Sequence, residues 1–239
     1  MHKNGLERQP VKVKDGGHVL GDATTNDLLD NGTIDGTVTL SLALPLSIAV
    51  PELPAMTPGA SPDDDVTLDG GADLTLDAGA YGVVKLRAGT QANATVLTLS
   101  GGVYDLLELD LGDRSRLECA APCQLHVANR LLPGQNAYLG PAADADLGPA
   151  DVEVYVAGIN GSSGQLGATP KAATIGFDNE VLARFFIPHG TLWLKEGTVA
   201  SGRFVGLDVE IGIGCTVTGD TGGGEPASCA QYCQDLVAA

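Results

Sequence analysis

Five cysteines carry the clearest chemical potential in this chain of 239 residues. Two pairs share one spacing and a fifth cysteine stands between them: Cys119 and Cys123, then Cys215, then Cys229 and Cys233. Zinc sites usually combine a closer Cys-x-x-Cys spacing with a nearby histidine, whereas the four histidines here are scattered. Disulfides formed in an oxidising compartment explain the pattern better. We predict a Cys119–Cys123 bridge and a second bridge from Cys215 to one of the two tail cysteines.

The carboxylates are numerous but do not form a recognisable catalytic pattern. Asp69, Asp73 and Asp77 lie four residues apart, so in strands or turns they need not share a face. Asp144 and Asp146 form another close pair. The Gly-x-Ser-x-Gly, His-Glu-x-x-His and phosphate-loop signatures are all missing. The sequence therefore predicts a protein that is not an enzyme, with no catalytic and no cofactor-binding residues.

An acidic turn at Asp63, Asp64 and Asp65 is the one weak candidate for a metal ion. Ca²⁺ prefers carboxylate oxygens, but the chain has neither an EF-hand loop nor a series of Gly-Gly-x-Gly-x-Asp repeats. We therefore expect no cofactor, and keep Ca²⁺ at this turn as an alternative.

The charge balance excludes several kinds of partner. The chain carries 13 basic against 30 acidic residues, a net charge of −17. A polyanion of this size repels nucleic acid and anionic lipid surfaces. No apolar run reaches the roughly 18 to 20 residues that a membrane span needs. The basic N-terminus has no apolar stretch behind it to make a signal peptide. The chain is then either intracellular or a mature or cloned fragment that begins at an added Met, and the cysteines favour the second interpretation.

A repeat of 23 residues organises the middle of the chain. Residues 74–89 return as residues 97–112, and apolar residues alternate within each copy. An alternation of period two indicates strands, and a fixed repeat of this length is typical of a solenoid. The matched structural positions are Leu74 with Leu97, Leu76 with Leu99, and Tyr81 with Tyr104. The pattern predicts an all-β fold, a right-handed parallel β-helix, in which these pairs lie in successive coils.

The same alignment places Lys85 and Arg87 over Glu108 and Asp110. A ladder of opposite charges on the outside of stacked coils gives this pattern without any catalytic role. His126 and His189 are interpreted as coil or turn residues and not as bases.

The rest of the chain divides around this repeat. Residues 1–10 are expected to be flexible, and residues 11–219 to form a single β-helix domain in which residues 11–42 make the first pair of coils. Residues 44–65 contain five prolines, which predicts an extended connector packed on the domain. The alternative is an interdomain linker. Residues 220–239 read as a Gly hinge followed by a cysteine-containing tail with one short helix.

Three motifs carry a resemblance to known proteins: Leu99-Ser100-Gly101-Gly102-Val103-Tyr104, the aromatic strand 185–190, and the Gly-rich segment 202–211. Over residues 11–219 the chain resembles bacterial surface or secreted Gly-rich β-helix proteins, common in myxobacteria and found beside pilus-assembly and choice-of-anchor proteins. It is more distantly similar to the polymer-forming bactofilins. His189 departs from the asparagine usual in the family. The resemblance implies an extracellular or cell-surface structural module and supplies no catalytic residues.

Two functions follow from the sequence. The first is a non-enzymatic structural or adhesive module that associates with copies of itself. The second is a carbohydrate-binding or polysaccharide-degrading β-helix protein. Trp193, the only tryptophan, would be the main sugar-stacking residue in the second case, with Tyr155 and Tyr138 as further candidates.

Overall fold

A computed structural model describes residues 11–25, 28–40 and 52–219. These residues form short strands and two 3₁₀ helices, η1 (Pro62–Asp64) and η2 (Pro149–Asp151). In chain order the strands are β1 (Val11–Val13), β2 (His18–Leu20), β3 (Ala23–Thr25), β4 (Leu28–Asp30), β5 (Thr33–Ile34), β6 (Val38–Leu40), β7 (Val66–Leu68), β8 (Asp73–Leu76), β9 (Gly79–Leu86), β10 (Thr95–Leu99), β11 (Gly102–Leu111), β12 (Ser115–Cys119), β13 (Cys123–Val127), β14 (Leu131–Pro133), β15 (Tyr138–Pro141), β16 (Val152–Val156), β17 (Ala173–Ile175), β18 (Glu180–Leu182), β19 (Arg184–Leu194), β20 (Val199–Gly202), β21 (Phe204–Ile211) and β22 (Thr216–Gly219).

The strands pair in parallel throughout the described residues. One sheet has nine strands in the order β8-β10-β12-β15-β18-β20-β22-β2-β5. A second sheet has eleven strands and runs from β7 and β9 through β11 and β19 to β21, β1 and β4. The third sheet is the pair β3 and β6. The chain passes from one large sheet to the other and returns beside the strand it left, and we call each such passage a rung.

Alternating side chains fill the space between the sheets. In β10, Thr95, Leu97 and Leu99 are buried, whereas the residues between them are half-buried. The same alternation in β12 and β16 gives one continuous apolar core. Burying one such leucine contributes roughly 1.5 to 3 kcal/mol, so the stacked rows supply most of the stability.

The order of the rungs along the stack differs from the order of the chain. β1 pairs with β21, with Val11 beside Val209, and β2 pairs with β22, with His18 beside Thr216. The described residues between 11 and 40 therefore stack beyond β21 and β22, which are the last described strands in the chain. The sequence predicted that residues 11–42 make a first pair of coils. Residues 11–40 do form two rungs, but these lie next to those last strands and not before the rung of β7 to β9.

The described part of the connector lies against the opposite end of the stack. Thr57 donates both its backbone N–H and its hydroxyl to Asp105 Oδ2, at 3.2 and 2.8 Å. Gly59 donates to the carbonyl of Tyr81 at 2.9 Å, and η1 then leads into β7. Residues 52–61 contain no strand, as five prolines between residues 44 and 65 predict. A long connector is necessary because β6 and β7 lie at opposite ends of the stack.

The repeat register is partly as predicted. Leu97 lies beside Leu74 and Leu99 beside Leu76, which confirms the 23-residue spacing in the nine-stranded sheet. In the eleven-stranded sheet the spacing is 25, because Tyr81 pairs with Leu106. The two extra residues fall at the corner between β10 and β11, where Gly101 and Gly102 have φ of 112° and 93°. Glycine adopts such angles without a steric cost, so the corner widens there.

The charge ladder shifts by the same two residues. Lys85 contacts Asp110 at 2.6 Å instead of Glu108, and Arg87 contacts Asp69 at 2.8 Å instead of Asp110. The ladder is therefore present, but the predicted partners are wrong.

An all-β fold of parallel sheets is confirmed. The long strands β11 and β19 each pair with two strands on one side, so the pairings also close a six-strand ring, β11-β13-β16-β19-β17-β14. Among the residues described, no helix is long and apolar enough to cross a membrane. The predicted tail, its helix, Cys229 and Cys233 lie outside the described residues.

Candidate functional site

The cysteines divide into one bridge and one thiol. Cys119 and Cys123 are bonded, as predicted, and join the end of β12 to the start of β13. Cys215 is a free, fully buried thiol whose Sγ lies 2.9 Å from the carbonyl oxygen of Lys195. This disagrees with the predicted bridge from Cys215 to a tail cysteine. Burial raises the pKa of this thiol, which leaves it an unreactive part of the core.

The acidic turn is used for backbone hydrogen bonds. Asp64 Oδ2 accepts the N–H of Ser61 at 2.9 Å, and Asp65 Oδ1 accepts the N–H of Val83 at 2.7 Å. The described ranges contain no cluster of three or more metal-ligating side chains. Asp64 therefore closes a local turn, and Asp65 fastens the end of the connector to β9.

Two of the three candidate sugar-binding aromatics are packed against other side chains. Tyr138 is buried, its ring is covered by the guanidinium of Arg116 at 4.2 Å, and its hydroxyl donates to Pro141. Tyr155 lies between Phe186, stacked at 5.0 Å, and His126, in edge contact at 5.5 Å. Both rings are therefore packed against neighbouring side chains. Tyr81 and Tyr104 also stack on each other, at 6.5 Å, as predicted, although their backbones are offset by two residues.

His126 belongs to an acid–base pair that the sequence did not reveal. It lies in the middle of β13, not in a turn, and its Nδ1 donates to Asp105 Oδ1 at 2.8 Å. Burial tends to raise the pKa of Asp105, but hydrogen bonds from Thr57 and His126 outweigh it and lower that pKa. A carboxylate that orients a histidine supplies two of the three members of a hydrolytic triad. Nε2 of His126, however, is buried without any partner, so no nucleophile is in place.

An open groove lies beside Trp193. It has a volume of about 450 Å³ and is lined by β11, β14, β17 and β19 together with the loop before β17. Trp193 projects outward between Leu192 and Leu194, which are fully buried. The side chains that give the groove its chemistry are Asp110, Asp113, Thr169, Lys171, Trp193 and Lys195.

Two lysine ammonium groups lie near the indole ring. Lys195 Nζ lies 5.1 Å and Lys14 Nζ 5.4 Å from the centroid of Trp193, within the range of cation–π attraction. Lys14 follows Lys12 of β1 by two residues. Because Lys12 pairs with Glu210, and Glu210 pairs with Trp193, this register brings Lys14 beside the indole ring. The unexpected stacking of the N-terminal strands on β21 is therefore what completes the surroundings of Trp193.

A buried polar network supports the groove from below. Lys171 is 6% exposed, contacts Glu210 at 3.0 Å and donates to the carbonyl of Leu166. Asn160 Nδ2 donates to Thr191 Oγ1 at 2.7 Å, and its Oδ1 accepts the N–H groups of residues 172 and 191. The network holds the loop before β17 onto the sheet, so the groove wall is fixed by hydrogen bonds.

Sequence reasoning identified Trp193 but missed the lysines around it. Lys14, Lys171 and Lys195 are far apart in the chain, and only the strand register brings them together. The alternation of Trp193 between two leucines was the one signal available, since it places the indole on the outer face. Searches of protein-family models, of characterised proteins and of solved structures found no match to this chain.

Proposed function

We propose that this chain is a right-handed parallel β-helix that serves as a non-enzymatic structural or adhesive module and associates end to end. Rungs stacked in parallel support the solenoid description; Leu97 and Leu117 lie in successive rungs, and one longer rung separates Leu139 from Val181. The right hand follows from the general preference of parallel crossover connections. The resemblance to bacterial surface β-helix proteins and bactofilins points to the same class.

The observation that carries the proposal is that the sheets stop at unpaired edges. Within the described ranges β8 pairs only with β10, and β5 pairs only with β2. Likewise β4 pairs only with β1, and β7 only with β9, where the connector already bonds to Tyr81 and Val83. Unpaired edges are templates for strands of another chain. Because the two ends differ, contact between them is head-to-tail and builds a row of molecules.

Apolar side chains accompany one of these edges. In β6, which pairs only with β3, Leu40 is 52% and Val38 is 37% exposed. Both residues belong to the last rung, at the β4–β6 end. Covering them would add apolar burial to the hydrogen bonds of the strand edges.

The groups that could perform acid–base chemistry are shielded. His126 and Asp208 are each 5% exposed, and each has one ring or carboxylate atom buried without a hydrogen-bond partner. Asp110 in the open groove is already paired with Lys85, and Asp113 accepts the N–H of Gln135. A catalytic group must reach its substrate, so these contacts favour a structural role.

The Cys119–Cys123 bridge supports an extracellular or cell-surface location, since disulfides persist mainly in oxidising compartments. The net charge of −17 adds long-range repulsion between copies. Association should therefore strengthen as salt screens that charge.

Light scattering coupled to size exclusion tests the proposal, with protein concentration and salt varied. We expect the mass to rise with both, and the variant Leu40→Lys to remain monomeric. Val199→Lys is the matched control, because Val199 is 51% exposed but lies on a strand paired on both sides. A monomeric wild-type protein at all concentrations, or an equal loss of association in both variants, contradicts end-to-end assembly.

A further inference from the structure

Lysines are concentrated around the single tryptophan of a strongly acidic chain. The sequence has six lysines, and Lys14, Lys171 and Lys195 all lie beside Trp193 or in its groove. The pairs Lys171–Glu210 and Lys85–Asp110 cancel, so Lys14 and Lys195 outweigh Asp113 and leave a small local positive charge on a molecule of net charge −17. Such a site attracts anions that the rest of the surface repels.

Two of these lysines have no carboxylate partner within the described residues. Lys171 is paired with Glu210, and Lys85 on the neighbouring rung is paired with Asp110. Lys14 and Lys195 make cation–π contacts with the ring instead. The chain has 30 acidic residues, yet none of those described pairs with Lys14 or Lys195. The two ammonium groups beside Trp193 are therefore well placed to bind a carboxylate supplied by a ligand.

The remaining walls of the groove suit hydroxyl groups. Thr169 and Thr174 provide side-chain hydroxyls, and Asp113 provides a carboxylate. A ligand that uses the indole face, several hydroxyl-binding groups and unpaired ammonium groups is a sugar ring that carries a carboxylate. We propose that the groove beside Trp193 binds uronic-acid residues of an acidic polysaccharide.

Phosphate-rich ligands fit the groove less well. Asp110 and Asp113 line the same groove and would repel a multiply charged phosphate, whereas they accept hydrogen bonds from sugar hydroxyls. The flat indole face also matches the apolar face of a sugar ring, for which a phosphate group has no counterpart. The proposal stands on the groove alone and does not depend on end-to-end association.

Trp193 makes the test direct, because it is the only tryptophan and its fluorescence reports on this groove. The full chain is titrated with a hexamer of galacturonic acid and, separately, with the neutral hexamer of glucose. We expect a saturable fluorescence change with the acidic hexamer only. Its Kd should rise with added NaCl, because salt screens the lysine–carboxylate attraction.

Two charge-matched variants separate this site from the general charge of the protein. Lys195→Gln should weaken binding about fivefold, the upper end for an exposed charge pair. Arg87→Gln, which removes one positive charge from the β7–β9 end, should leave Kd unchanged. Calorimetry with Trp193→Phe provides a readout without fluorescence, and we expect weaker binding there too.

Three results overturn the proposal. The first is no saturable change with the acidic hexamer into the millimolar range. The second is equal binding of the neutral hexamer. The third is equal weakening by Lys195→Gln and Arg87→Gln. Circular dichroism of each variant shows that the fold is intact, so a loss of binding is assigned to the groove.

Discussion

Asp208 should make the protein less stable at neutral pH than at mildly acidic pH. Its carboxylate lies at the start of the second half of β21, is 5% exposed, and has one oxygen buried without a partner. Burial is the main cause that raises its pKa to about 6, and the neighbouring charge of Glu210 adds to it. Lys171 and a 3.5 Å contact with Thr191 offset only part of this effect.

The direction follows from proton binding. An unfolded aspartate has a pKa of about 3.9, so between about pH 4 and pH 6 the folded state holds more protons than the unfolded state. The free energy of unfolding therefore falls as pH rises through this window, and the penalty stays in place above it. Two pKa units correspond to about 2.7 kcal/mol, which residual solvent screening reduces to about 2 kcal/mol.

The replacement Asp208→Asn removes the charge while keeping the size of the side chain. We expect urea unfolding to show the variant more stable than the wild type by about 2 kcal/mol at about pH 7.5, with the difference disappearing near pH 4. Asp146→Asn is the control, because Asp146 is exposed and should give no such difference. A variant that is less stable than the wild type at about pH 7.5, or a gain that does not change with pH, would refute the reasoning.

Three further predictions concern stability. Replacing both Cys119 and Cys123 by alanine should lower the free energy of unfolding by about 2 kcal/mol, as closure of a five-residue loop predicts, and mass spectrometry of the unreduced wild type should show this bridge. Leu117→Ala should lower the free energy of unfolding by about 3 kcal/mol, because Leu117 is fully buried between Leu97 and Leu139. Leu40→Ala at the exposed end should lower it by under about 0.5 kcal/mol. Equal losses in the two variants would contradict the assignment of the core. Lys85→Gln should lower the free energy of unfolding by less than about 1 kcal/mol, because its pair with Asp110 is solvent-exposed. Chemical unfolding at several salt concentrations measures this loss. A larger loss at low salt would contradict the prediction that the charge ladder contributes little to stability.

Local pattern was enough to predict the strands and the parallel pairing. The alternation of Leu97 and Leu99 fixes which side of β10 is buried, and the 23-residue repeat fixes their neighbours in the next rung. Both signals depend on residues close together in the chain. They are local consequences of the two-residue period of a strand.

Register beyond the corners was not predictable. The two residues gained at Gly101 and Gly102 displace every pair between β9 and β11, and an alignment of letters does not show them. This displacement moved Lys85 from Glu108 to Asp110. A shift of two keeps each side chain on its face, so the hydrophobic pattern gives no warning.

The order of the rungs was also hidden. Placing β1 beside β21 requires the chain to return from one end of the stack to the other, and composition does not encode the direction of that return. The pairs Asp105–His126 and Lys14–Trp193 depend on tertiary register in the same way. For that reason neither pair could be predicted from local sequence patterns.

A distance between spin labels tests the central claim, that residues 11–40 complete the far end of a parallel stack. Labels are attached at Thr33→Cys in β5 and Thr75→Cys in β8, both exposed positions, after Cys215, Cys229 and Cys233 are replaced by serine. Eight strand pairings separate β5 from β8, so pulsed dipolar spectroscopy should give about 38 Å between the two backbones. Stacking in chain order would place the labels within about 10 to 15 Å of each other, and that result would contradict the account.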